Sequence, residues 1–198
     1  MARAFRVDRV QRDLPFALGE RFPGQLSPIV IEHALPNTQI ERVLGSAKWG
    51  LVPFWAKEPN IGKKLFNARA ETLAEKPAFR EGFATRRCVV PVSAFYEWQK
   101  AVAPATRKQR FTFHAPDGSL LALAGLWATW KAPDQSKLAT FTIITVEANQ
   151  TVSPVHPRMP AMLALDDVAR WLAGDTDVET LKGLLRPSPE AWLVSEPG

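Results

Sequence analysis

Glu97 stands near the end of a strongly apolar stretch, in Ala94-Phe-Tyr-Glu-Trp98. A carboxylate there has two readings. It points to solvent from the end of a strand, or it lies in a cleft. In a cleft its pKa rises above the reference of about 4.3 and it serves as a general acid or base. His156 sits in Ser153-Pro-Val-His-Pro-Arg-Met-Pro160. The prolines stiffen a loop that presents an imidazole and the Arg158 guanidinium. Such a histidine is either structural or a proton carrier near neutral pH. Asn67 and Arg69 occur in Leu65-Phe-Asn-Ala-Arg-Ala-Glu-Thr72. Asn67 reads as a cap for the helix expected after it. Arg69 pairs with Glu71 or Glu75, or it binds a phosphate. The run Trp49-Gly-Leu-Val-Pro-Phe-Trp-Ala-Lys57 is core, or it is a base-stacking platform with Lys57, Lys63 and Lys64 supplying attraction for phosphates.

No phosphate-binding glycine loop, dinucleotide fingerprint, Cys-x-x-Cys pair, His-Glu-x-x-His or Gly-x-Ser-x-Gly occurs. Three histidines far apart do not make a zinc site, so neither a metal nor a cofactor is expected.

The elements that must position these residues are short, because 17 prolines are spread through the chain. Arg110–Ala115 and Leu120–Trp130, joined by Pro116-Asp-Gly-Ser119, read as a hairpin. Cys88–Trp98 and Phe141–Val146 read as strands from their β-branched and aromatic content. Short helices are expected over Ala68–Lys76 and Pro77–Phe83. Another is expected over Asp166–Ala173, with Val168, Trp171 and Leu172 on one face. A last helix, over Asp177–Arg186, has Thr176 and Glu179 in capping-box spacing and Val178, Leu181 and Leu185 inward. Strands without a βαβ rhythm, with intervening and terminal helices, predict an α+β fold on an antiparallel core. No linker divides the chain.

The 198 residues, 46% hydrophobic and 23% charged, suit one globular domain. A single cysteine, Cys88, excludes an internal disulfide and points to a reducing compartment. No apolar run is long enough to cross a bilayer. We therefore expect a cytoplasmic protein, nucleoid-associated in a bacterium, without a membrane partner and monomeric. A net charge of +5 and a pI near 9.6 are compatible with a polyanionic partner.

Several motifs together resemble one family. Trp49-Gly-Leu-Val-Pro-Phe-Trp55, Asn67-Ala-Arg-Ala-Glu-Thr72, Pro77-Ala-Phe79, Arg87-Cys-Val-Val-Pro91 and Phe95-Tyr-Glu-Trp98 follow the SRAP pattern in order. Ala124-Gly-Leu-Trp127, Phe141-Thr-Ile-Ile-Thr145, Glu147-Ala-Asn149 and His156-x-Arg-Met-Pro160 continue it. The match runs from about Lys48 to Trp171 and leaves positions 1–47 divergent. The resemblance implies a single α+β domain, residues 1–198, with a mostly antiparallel, barrel-like β core and peripheral helices. It implies a groove for single-stranded DNA and sensing of abasic sites in it. It implies Asn67 as the residue orienting the N-terminal nucleophile, Glu97 as the acid/base that opens the sugar, and His156 as an aid to proton transfer. Arg69 becomes a phosphate anchor, Thr145 a hydroxyl lining the site, and Arg158 a further DNA contact. Trp49, Pro53 and Trp55 become the segment against flanking bases.

The family's nucleophile is a cysteine after the initiator methionine, and Ala2 stands there instead. Ala4 replaces an expected arginine, and Arg21–Pro28 blurs a further family segment. An α-amine, with a pKa of about 7.7–8.0, still forms an imine with an aldehyde. Ring closure to a thiazolidine needs the missing sulfur. With Met1 removed, the expected chemistry is a transient imine on Ala2, with strand scission assisted by Glu97 and His156 and no stable cross-link. The alternative is a DNA-binding module without catalysis. A peptidase, which the family's name suggests, ranks last, because no serine or cysteine pairs clearly with His156. Cys88 reads as a small buried apolar residue.

Overall fold

A computed structural model describes residues 1–11, 14, 19–36, 39–99 and 108–198. In chain order the strands and helices are β1 (Arg9–Val10), β2 (Leu26–Ala34), β3 (Ile40–Trp49), β4 (Asn67–Arg69), α1 (Arg80–Thr85), β5 (Arg87–Val92) and β6 (Ala94–Trp98). There follow β7 (Arg110–His114), β8 (Leu121–Lys131), β9 (Lys137–Glu147), β10 (Arg158–Pro160), α2 (Val168–Leu172), α3 (Val178–Leu184) and β11 (Val194–Pro197).

The path β3-β2-β5-β8-β9 is antiparallel throughout, and a parallel pairing of β3 with β9 closes it on itself. Closure follows from the register Lys48↔Thr140 and Trp49↔Phe141. The result is a mixed barrel with few helices, a single domain of the α+β kind. Alternation along β9 sends Thr140, Thr142, Ile144 and Val146 to one face, where all four are buried. A second sheet, β11-β7-β6, carries Glu97.

Arg87 fastens two helices to the barrel. It is 4% exposed, and its guanidinium donates to the carbonyls of Phe83 and Ala84 at the end of α1. It also donates to those of Trp171 and Ala173 at the end of α2. One buried cation thus caps two helix C-termini, where the helix dipoles favour positive charge. Cys88 beside it is fully buried, and burial pushes its thiol pKa up.

Several expectations change. The turn at Pro116–Ser119 is present, with Gly118 at φ +71° and its N–H bonded to Ala115. It does not close a hairpin, because β7 pairs with β6 and β11 while β8 pairs with β5 and β9. Turn chemistry fixes the reversal, but side-chain burial chooses the strand partner. Cys88–Trp98 is two strands in different sheets, broken by a bend at Ser93. Ala68–Lys76 is not a helix. Positions 67–69 pair with β9, and only a 3-10 turn, Ala70–Thr72, follows. A nucleus this short gains more from the open edge of β9 than from one helical turn. The helix expected over Pro77–Phe83 begins later, at Arg80. The helix expected from Asp166 is a 3-10 turn, Leu165–Asp167, running into α2, with Val168, Trp171 and Leu172 buried. The cap of α3 is Asp177, whose side chain accepts from the Thr180 N–H, rather than Thr176. Leu181 is buried there, but Val178 is exposed.

Candidate functional site

β6 positions Glu97 through its alternation. Phe95 and Glu97 share the face that packs inward, and Phe95 stacks on Phe113 at 5.0 Å between ring centres. Tyr96 points the other way and lies under the Arg110 guanidinium. Glu97 therefore ends an apolar face, with its side chain 25% exposed. Burial raises its pKa, and the positive charge His156 can carry opposes that rise.

His156 faces it, with Nδ1 3.9 Å from Glu97 Oε1. That distance suits an ion pair and is too long for a hydrogen bond. The imidazole arrives on a turn built by Asn149. Its Oδ1 accepts from Val152 N–H, its backbone carbonyl accepts from Ser153 N–H, and its Nδ2 donates to Ser188 O. His156 Nδ1 lies 2.9 Å from the Arg158 carbonyl and 3.2 Å from the Arg158 N–H. It donates to the first or accepts from the second, and the tautomer decides which. Gln99 Nε2 donates to Pro154 O at 3.1 Å, joining the end of the Glu97 strand to the His156 turn.

β4 lies on the opposite edge of β9 from β10, in the register Asn67↔Ile143 and Arg69↔Thr145. Ala68 is buried, so alternation presents Asn67 and Arg69 together to solvent. Among the described residues, no ion pair engages Arg69. Thr145 is also paired with Pro160, and its hydroxyl donates to Ala68 O at a long 3.5 Å. Arg158 is committed: it makes a two-pronged ion pair with Glu71, at 2.6 and 3.0 Å, and donates to Thr145 O. Glu71's carboxyl is held below the usual range, chiefly by the Arg158 hydrogen bond. A continuous line thus runs from Asn67 and Arg69 through Thr145, Glu71 and Arg158 to His156 and Glu97.

The aromatic segment divides. Trp49 donates its indole N–H to Phe66 O at 2.7 Å and stacks on Phe141. Leu51, Val52 and Pro53 are buried. Phe54 and Trp55 are 59% and 48% exposed. Gly50 holds the bend: its φ is +126°, and a Cβ there would meet Gly62 O at 2.6 Å.

Ala2 stands apart in its bonding. Its carbonyl accepts from Val7 N–H, and Phe5 is buried in the core. Arg42 donates to Phe5 O and pairs with Glu32, while Asp8 exchanges two hydrogen bonds with the Arg42 backbone. No hydrogen bond or ion pair among the described residues joins Ala2 to Asn67, Glu97 or His156. Glu71, Gln99 and Asn149 escape a sequence reading as site-builders. Glu71 and Asn149 stand in the quoted motifs without an assigned role, Gln99 carries no signal, and Glu71 pairs with Arg158 rather than with Arg69 as expected.

No group of three or more His, Cys, Asp or Glu that could hold a metal ion occurs among the described residues. No helix among them is long and apolar enough to cross a membrane.

Comparison with known proteins extends the pattern beyond Lys48–Trp171. The chain is 43% identical over 157 residues to the abasic site processing protein YoqW of Bacillus subtilis, covering 77% of this chain and 69% of that one. It is 38% identical over 195 residues to the abasic site processing protein YoaM of the same organism, covering 96% and 85%. A crystal structure of a protein from Bacteroides thetaiotaomicron superposes with a TM-score of 0.79 at 27% identity, covering 88% of this chain and 74% of that one. The family model described as SOS response associated peptidase (SRAP) matches residues 8–197, so the chain belongs to the SRAP family.

Proposed function

We propose that this protein recognises abasic sites in single-stranded DNA and that Glu97 and His156 move the protons of the chemistry there. The observation that carries this is their opposition at 3.9 Å, with the Glu97 carboxyl driven toward its protonated form by burial. A protonated Glu97 donates to the ring oxygen of the deoxyribose as its bond to C1′ breaks, and the C1′ hydroxyl gives up its proton to become the aldehyde. The exposed pair Asn67 and Arg69 supplies an amide for orientation and a cation for a phosphate. Phe54 and Trp55 offer faces for neighbouring bases. Relatives that process abasic sites support the same substrate.

Once Met1 has been removed, the neutral amine of Ala2 adds to the aldehyde and loses water to give an imine. His156 removes a C2′ proton, and the 3′ phosphate leaves. Borohydride trapping on an abasic oligonucleotide tests this: an adduct on the Ala2 amine is expected, and it disappears without reductant. A lack of trapped adduct overturns the covalent step.

One observation favours a second reading, binding without turnover. Ala2 makes no bond to Asn67, Glu97 or His156, and its segment is fixed through Phe5 and Arg42. Under this reading the oligonucleotide binds, affinity falls steeply with salt, and neither adduct nor scission appears.

A further inference from the structure

Glu97 and His156 reach each other from different parts of the fold. Glu97 lies in the sheet β11-β7-β6, which forms no strand pairing with the barrel among the described residues. Phe95 and Phe113 seat that sheet in the core. Apolar packing is non-directional, so it brings the sheet to the barrel without fixing its position to a fraction of an ångström. His156 stands on the turn 149–156. Its N–H donates to Val152 O at 3.0 Å, and Val152 is fully buried.

Asn149 joins this turn to the segment that follows α3. Its Oδ1 holds the Val152 N–H within the turn, and its N–H donates to Met159 Sδ at 3.3 Å. Its Nδ2 leaves the turn for Ser188 O at 3.1 Å, 39 positions away. Ser188 is buried between Pro187 and Pro189. The proline after it bars Ser188 from the helical region, and both prolines fix their own φ, so the accepting carbonyl sits in a stiff segment. Further along, Leu193 anchors the same segment in the core, and β11 starts at the next residue. β11 pairs with β7, so Pro197 and Glu97 flank one residue, Phe111, from its two sides. Residues 188–197 therefore reach from the His156 turn to the sheet of Glu97.

We propose that Asn149 is a positioning residue: by clamping Ser188 it ties the segment 188–197, and with it the sheet of Glu97, to the His156 turn, and so sets the spacing of the two proton carriers. This rests on the abasic-site reading above and deepens it. Asn149 is half-buried and stands outside the exposed group of Phe54, Trp55, Asn67 and Arg69, so its loss acts on rate and not on binding. The surroundings of Glu97 make the spacing readable. His156 faces it, and Arg158 beyond is committed to Glu71. On its own face of the sheet lie Phe95, Phe111, Phe113 and Pro197, while Arg110, His114 and Glu196 lie on the other face with Tyr96. When His156 recedes, the charge opposing the rise of the Glu97 pKa recedes with it.

The test follows the Glu97 side-chain carboxyl by heteronuclear NMR through a pH titration, its signal identified by its loss in Glu97→Gln. Binding and single-turnover scission of an abasic oligonucleotide are measured alongside. Asn149→Ala removes both side-chain bonds. Asn149→Ser keeps an acceptor for the Val152 N–H, as serine does in such turns, and is too short to reach Ser188. In both variants Glu97 should titrate at higher pH than in the wild type. Both should cut scission on the order of tenfold, with binding held within about twofold. If Asn149→Ala does not fold, Asn149→Ser answers alone. An unchanged Glu97 titration in the folded variants overturns the proposal. So does an Asn149→Ser variant that matches the wild type while Asn149→Ala shifts, because the bond within the turn then suffices without the clamp. A wild type that neither binds nor cleaves the oligonucleotide overturns the abasic-site reading, and the carboxyl titration still decides the role of Asn149.

Discussion

Glu71 grips Arg158 with both carboxylate oxygens, and Arg158 in turn brackets the His156 ring with its own backbone carbonyl and N–H. A surface acid following β4 therefore governs where an imidazole on a distant turn points. Glu71→Ala should lower the rate of the proton-transfer step on the order of tenfold, since small displacements of a catalytic group are costly. Glu71→Gln, which keeps one hydrogen bond, should recover part of it. Single-turnover scission of an abasic oligonucleotide measures both. The pair's contribution to stability is small, below about 1 kcal/mol, because Glu71 is half exposed. The folded pKa is lowered, so that contribution is complete above the usual carboxylate pKa. It is lost as pH falls through the folded value. Urea titrations at neutral pH and near pH 3 should show the loss, and Glu71→Ala should shrink the difference by the pair's share, below about 1 kcal/mol.

Glu97 behaves in the opposite sense. Burial raises its folded pKa, so the unfolded chain releases this proton first, and the group's effect on stability turns unfavourable as pH rises from the usual value through the raised one. The acid form persists to higher pH, which suits a donor. Replacing His156 by alanine removes the charge that opposes the rise. The limb of the pH–rate profile assigned to Glu97 should then move to higher pH, on a rate about 100-fold lower. Glu97→Gln should erase that limb. A limb that stays in place when His156 is gone would show that the two groups do not interact.

Arg87 should be among the least replaceable residues of the fold. Arg87→Met strips hydrogen bonds from four carbonyls at two helix ends, in a site where little water can replace them. Bonds to a charged group contribute about 1.5–3 kcal/mol each, though not additively, so a loss of about 3 kcal/mol or more is expected. Chemical denaturation checks it, and Arg87→Lys, with three donors and no fork, should recover little.

Gly50→Ala should disturb the aromatic segment without touching its aromatics. The φ of +126° and the 2.6 Å approach to Gly62 O both oppose a side chain. The expected result is a loss of about 2 kcal/mol and a shift in Trp55 fluorescence, read against a Trp55→Phe control.

The motif order was legible because those residues are what the barrel and its rim require. The neighbours of Glu97 leave solvent and cleft both open, and it is the pairing of β6 in the second sheet, with Phe95 buried on the same face, that decides for the cleft. The β7–β8 hairpin was misread for the converse reason: a Pro-Asp-Gly turn looks the same whether its strands pair with each other or with strands elsewhere. The helix expected over Ala68–Lys76 loses its start to a strand because β9 offers an open edge to 67–69. The clamp of Glu71 on Arg158 joins residues 87 positions apart, and no local pattern encodes such a partner.

The parallel contact of β3 with β9 has a kinetic consequence. Lys48 and Thr140 must meet across about ninety intervening residues, and loops of that size close slowly. The short strand bearing Asn67 and Arg69 docks on that same β9 edge. The amide and the cation on that short strand therefore join the rest of the rim only once β9 has been made and has captured a segment more than seventy residues upstream.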